Sequence, residues 1–133
     1  MKLNPDCIRE VLLYLEELPY HATASIPDIS NSLKKFSRED VEYTCLQLHE
    51  AGLIRATIKH LPSSNYDYIK EITDITYQGH QFIEGIRNPK AWKAVKSGCE
   101  SVGNFALKTI SSIAEGIATA AIQSYISKYL NRM

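Results

Sequence analysis

Residues 37–75 read SREDVEYTCLQLHEAGLIRATIKHLPSSNYDYIKEITDI, and the period of their apolar positions changes at Gly52. Before it, Val41, Cys45, Leu48 and Ala51 recur every three or four residues, which places one apolar stripe on a helix. Ser37, followed three residues later by Asp40, resembles a capping box with the shorter acid in place of Glu. Gly52 stands where a left-handed residue ends such a helix. After it, Ile54, Ala56 and Ile58 alternate with Arg55, Thr57 and Lys59. A second alternating run sets Tyr66, Tyr68, Lys70 and Ile72 against Asp67, Ile69, Glu71 and Thr73. Pro-Ser-Ser-Asn at 62–65 supplies a turn between the two, so a helix leading into a β-hairpin is expected.

Working outward, Asn4-Pro5 is a cap residue followed by a proline at the first helical position, where its missing N–H costs nothing. The stripe Ile8, Val11, Leu12, Leu15 and Leu18 then predicts a helix closed by Pro19. A short extended stretch over 21–25 leads to a second helical run of about ten residues from Pro27-Asp28, with Ile29, Leu33 and Phe36 on one face. Beyond the hairpin, Thr76 is placed to cap a short helix carrying Phe82, Ile83 and Ile86. Helix, helix, tight turn, helix and hairpin is the order of a winged helix-turn-helix. The expected fold is mostly α with a small β-hairpin, its core built from Leu12, Leu15, Leu33, Val41, Leu48, Leu53, Ile58 and Phe82.

The 133 residues carry 15 Lys+Arg and 15 Asp+Glu with 44% hydrophobic side chains, a composition that folds rather than remaining disordered. The balance is uneven along the chain. Residues 1–87 hold nine basic against thirteen acidic side chains, a net of −4, which leaves +4 for the remainder. The shift falls at Asn88-Pro89, so the expected organisation is a winged-helix domain over 1–87 and a C-terminal helical extension over 88–133. Cys7, Cys45 and Cys99 are an odd number with no CxxC, behind a start that lacks the layout of a signal peptide; this reads as a reducing cytoplasm.

The extension opens with a second cap and proline pair. Ala91, Trp92 and Val95 share a face, while Lys90, Lys93 and Lys96 follow on a flank. Gly98 and Gly103 are expected to weaken this helix over 97–104. A long segment over 105–130 then carries the stripe Leu107, Ile110, Ala114, Ile117, Ala121 and Tyr125, widened by Ile113, Ile122, Ile126 and Tyr129. It is a poor transmembrane span, because Ser, Thr and Gln punctuate it and Glu115 lies inside. It also lacks the basic polar face of an interfacial membrane helix, so membrane contact is the weaker expectation. A helix apolar on more than one side must be covered on more than one side. Self-association through Ile113, Ile117, Ala121, Ile122 and Ile126, or contact with another protein, is therefore expected.

Several strings are distinctive: MKLNPDCIREVLLYLE at 1–16, LHEAGLI at 48–54, ITDITYQGHQFIEGIRNPKAWK at 72–93 and VGNFALKTISSIA at 102–114. Through them the chain resembles the YjcQ-like winged-helix proteins, a group found largely in prophages and mobile elements of Firmicutes. The resemblance implies a winged helix and a phage-related setting, with no catalytic residues to carry over.

Duplex DNA is the ligand such a fold suggests. Tyr43 and Gln47, one turn apart on the third helix, could read bases, with Lys34, Lys35 and Arg38 on phosphates. Against this, Arg38 is the one firm positive charge among Glu39, Asp40, Glu42 and Glu50, and a helix of net −3 repels the phosphates that supply most duplex affinity. Enzyme signatures are weaker still. Ser32-Leu33-Lys34-Lys35 matches Ser-x-x-Lys without its companion motifs. Cys45 and His49 share a helix at metal-ligand spacing, but a closed zinc site needs four ligands. No glycine-rich phosphate loop is present. The expectation is a non-enzymatic interaction module with no cofactor and no metal, the alternative being a dimeric DNA-binding regulator.

Overall fold

The computed structural model describes residues 1–63 and 65–132. The chain is mostly helical with one two-stranded antiparallel sheet, and it divides into two compact units, Met1–Ile83 and Glu84–Met133.

In the first unit, helix α1 spans Pro5–Glu16. The Asn4 side-chain oxygen accepts from the N–H groups of Asp6 and Cys7 at 3.0 and 3.3 Å, satisfying two donors that a helix start leaves open. The helix stops two residues short of Leu18. Helix α2, Ile26–Ser32, begins one residue earlier than Pro27 suggests, because Ser25 and Asp28 form a reciprocal capping box: the Ser25 hydroxyl accepts from the Asp28 N–H and the Asp28 carboxylate from the Ser25 N–H. It lasts only seven residues, so Leu33 and Phe36 fall outside it and are half-buried. Helix α3, Arg38–Glu50, starts on the expected Ser37 cap, whose hydroxyl accepts from the Asp40 N–H at 3.1 Å. Gly52 follows it with φ 77°, a left-handed conformation that costs glycine nothing.

These helices bury Cys7, Ile8, Val11, Leu12, Ile29, Val41, Cys45 and Leu48 completely, and each fully buried aliphatic side chain contributes roughly 1.5–3 kcal/mol. Ala51, expected on the buried face, is exposed at the end of the helix.

Strands β1, Ile54–His60, and β2, Asp67–Ile75, form the hairpin; the expected turn at 62–65 includes Ser64, which lies outside the described residues. The pairing is not the simple alternation that the sequence suggests. Two register shifts, between Arg55 and Ala56 and between Thr57 and Ile58, let β2 use nine residues against seven. Each extra residue moves the inward position by one. The core side of β2 is therefore Ile69, Ile72 and Ile75, spaced by three, while Ile58 is only half-buried. On the other edge of β2, Ala24 exchanges two hydrogen bonds with Ile72, at 3.0 and 2.7 Å. An extended residue between α1 and α2 thus lies beside the hairpin, giving a winged-helix-like α+β layout. Helix α4, Tyr77–Ile86, is capped by Thr76 as expected, and Phe82, Ile83 and Ile86 are buried.

In the second unit, helix α5 spans Pro89–Val102. Asn88 caps it by accepting from the Lys90 and Ala91 N–H groups. The helix runs unbroken through 97–102, contrary to the weakening expected from Gly98. The reason is tertiary: a Cβ on Gly98 would come 2.9 Å from the Ile113 side chain, so the glycine is a point of close helix approach. Gly103, left-handed with φ 77°, ends α5. Helix α6, Leu107–Asn131, is 25 residues long, and α5 packs along it.

Candidate interaction surfaces

Three surfaces carry the residues that the sequence singles out. The first is the outer face of α3. Tyr43 and Gln47 are half-buried there, one turn apart. Glu39 stands four residues before Tyr43, Glu42 is its chain neighbour, and Glu50 lies three residues past Gln47, so carboxylates border both side chains. Arg38 and Lys34 are exposed. Lys35 is partly committed elsewhere, its ammonium 3.2 Å from Glu10 Oε1 and 5.2 Å from the centre of the Phe36 ring. The cations sit at one end of the face and the acids run along it, which disfavours close approach of a phosphate backbone.

The second surface is a cavity of about 400 Å³ in the first unit, between the end of α1, the turn after it and the end of β2. Its floor includes Leu15, Leu18 and Ile72, and His21, His80 and Asp74 reach its lining. His21 has φ 68°, and its ring lies 3.8 Å from that of Tyr20. The Asp74 carboxylate is already used, accepting from the Ile75 N–H at 2.8 Å and standing 3.5 Å from the Arg55 guanidinium. Among the described residues no group of three or more His, Cys, Asp and Glu side chains could hold a metal ion.

The cysteines lie inside the fold. All three are fully buried. Burial pushes the Cys45 thiol up to about 12 and also raises Cys7, whose thiol is hydrogen-bonded to Thr44. A thiol held protonated is a poor nucleophile, and the Cys45 and His49 pair belongs to no group of three or more candidate metal ligands among the described residues.

The third surface is α6. Its first half is covered within its own unit: Ile110 and Ala114 are buried, Ile113 lies against Gly98, and Ile117 is half-buried. From Ala118 onward every described residue is exposed, including Ala121, Ile122, Tyr125, Ile126, Tyr129 and Leu130. The five residues Ile113, Ile117, Ala121, Ile122 and Ile126 are thus divided, Ile113 against α5, Ile117 half-buried and the last three open. Among the described residues no helix is long and apolar enough to cross a membrane. Sequence reasoning identified the apolar excess of α6 but did not place Tyr125, Tyr129 and Leu130 at its exposed end as a group.

The fold and these surfaces define a mostly helical protein with a winged-helix-like first unit and an uncovered helical end. The chain belongs to the family of hypothetical proteins described as DUF2513, whose model matches residues 2–104. The match ends just before α6, so the uncovered surface lies outside the part that the family model describes. An uncharacterized protein of Haemophilus influenzae is similar, 32% identical over 122 residues, covering 88% of this chain and 95% of that protein. No solved structure matches the chain. The matched family is not the YjcQ-like group that the quoted strings resemble, and its description brings no activity, ligand or partner.

Proposed function

We propose that the protein is a non-enzymatic winged-helix interaction module of phage or prophage origin, acting in the cytoplasm through protein–protein contacts and self-association. The phage setting rests on the sequence resemblance. The interaction reading rests on α6: a helix with an apolar stripe along its full length is covered over only its first half, and a soluble protein rarely leaves a contiguous apolar patch of several hundred Å² without a partner. Buried cysteines and an aspartate already paired beside the cavity at the end of α1 support a role without catalysis.

A dimeric DNA-binding regulator is the second reading, favoured by the winged-helix-like layout and opposed by the acidic α3 face. Fluorescence anisotropy of the full chain with a random-sequence duplex at physiological salt separates the two. The interaction module gives no saturable binding at tens of micromolar. Micromolar affinity that falls steeply with added salt, and that Arg38→Ala weakens, establishes the regulator instead.

A further inference from the structure

We propose that the uncovered half of α6 pairs with the same half of a second copy of the chain, the two helices lying antiparallel so that the end of each points toward α5 of the other copy. This rests on the interaction-module reading and specifies its partner and geometry.

The first support is surface area. Ile122, Tyr125, Ile126, Tyr129 and Leu130 are 58, 70, 48, 58 and 59% exposed. Together they offer on the order of 500 Å², led by the two tyrosines, whose rings can each bury about 150–250 Å². With the alanines beside them this approaches the roughly 800 Å² per partner of a standard specific interface.

The second support is length. At 1.5 Å per residue, α5 with its 14 residues is about 21 Å long and α6 with its 25 about 37 Å. The part of α6 beyond Ile117 is then roughly 20 Å, the length of one further α5. Antiparallel pairing sets bare half against bare half and brings α5 of the other copy toward the last turns of each α6. Parallel pairing puts both α5 helices at the same end and leaves the outer side of both tails in water.

The third support is chemical. No side chain between Glu115 and Lys128 is charged, so the face has no complement to seek in a strongly charged partner. An antiparallel pair centred between Ala121 and Ile122 brings Tyr125 level with the partner's Ala118 and Ile122 level with the partner's Ala121, large residues meeting small ones. It also sets Lys128 level with the partner's Glu115, whereas a parallel pair sets Lys128 beside Lys128.

The test uses the full chain. Sedimentation velocity at tens of micromolar should give a species of twice 15.0 kDa, and Tyr125→Asp should raise the dimer dissociation constant at least tenfold while the first unit keeps its near-ultraviolet spectrum. The native cysteines are fully buried, so added cysteines report alone. Ala121→Cys, at the centre of the antiparallel pair, should cross-link to its own copy under mild oxidation, and Leu130→Cys should not. A dimer that cross-links through Leu130→Cys, with or without Ala121→Cys, overturns the antiparallel arrangement. A dimer untouched by Tyr125→Asp removes α6 as its seat. A strictly monomeric wild type overturns the pairing, and flotation of that monomer with vesicles of neutral and anionic phosphatidyl lipids would assign the face to a membrane. None of these results depends on duplex binding, which is what decides the module reading itself.

Discussion

The Thr76 hydroxyl donates to the Gly52 carbonyl at 2.6 Å while its oxygen accepts from the Gly79 N–H at 3.0 Å. One side chain therefore ties the end of the α3 segment to the start of α4, across the whole hairpin, and satisfies an open acceptor and an open donor together. Thr76→Val keeps the shape and removes both bonds. Loss of a helix cap costs about 0.5–2 kcal/mol, and urea unfolding of the full chain should show a loss near 1–2 kcal/mol. A variant with unchanged stability would mean that water replaces both bonds without cost.

Gly79 and Gly116 both lie inside helices but should respond oppositely to alanine. A Cβ at Gly79 would run into the Leu53 carbonyl oxygen and come 2.6 Å from the Ile75 side chain, where the strand and helix approach too closely for any side chain. Overpacking of this kind costs about 1–3 kcal/mol or more. Gly116 on α6 has nothing within 4 Å of its Cβ position, so Gly116→Ala should stabilise by about 1 kcal/mol, the helix propensity difference alone. Thermal melts of the two variants should move to opposite sides of the wild type.

Leu48 is fully buried on α3. Leu48→Ala should cost about 2–5 kcal/mol, the sum of lost transfer energy and the cavity left behind. Denaturant titration checks it, and a loss under half a kcal/mol would place the wrong face of α3 in the core.

Stability should fall at high pH through the buried thiols. Cys45 is raised from 9.0 to about 12 by burial, with smaller contributions from Cys7 and Glu42. Above pH 9 the unfolded chain releases the Cys45 proton and the folded chain does not, so the unfolded state gains. The stabilisation is complete below pH 9 and is lost as pH rises toward 12, with a limiting slope of about 1.4 kcal/mol per pH unit. Cys45→Ala should flatten the stability profile between pH 9 and 11 relative to wild type. Equal slopes in the two proteins would show that Cys45 ionises as freely folded as unfolded.

Much of this fold is legible in short stretches of sequence. Asn4-Pro5, Ser37 with Asp40, Gly52, Thr76 and Asn88-Pro89 all mark their element ends correctly, because a cap is a bond between groups two to four residues apart and needs nothing from the rest of the chain. The helical stripe of α3 is legible for the same reason, except at Ala51, where the helix is already ending. On the surfaces, the acidic character of α3 follows directly from residue types, and so does the apolar excess of α6.

Other features depended on distant contacts. The inward faces of Ile69, Ile72 and Ile75 come from two register shifts against β1, and an extra unpaired residue leaves no local mark in a strand. Leu33 leaves the core because α2 ends at its cap after seven residues. Gly98, read by itself, breaks a helix, and only the approach of Ile113 shows why the helix continues through it. The sequence by itself determined where helices begin and that α6 has apolar side chains to spare. Which of them stay uncovered was decided by the tertiary structure, because α5 is about half as long as the helix it packs against and covers only its first half.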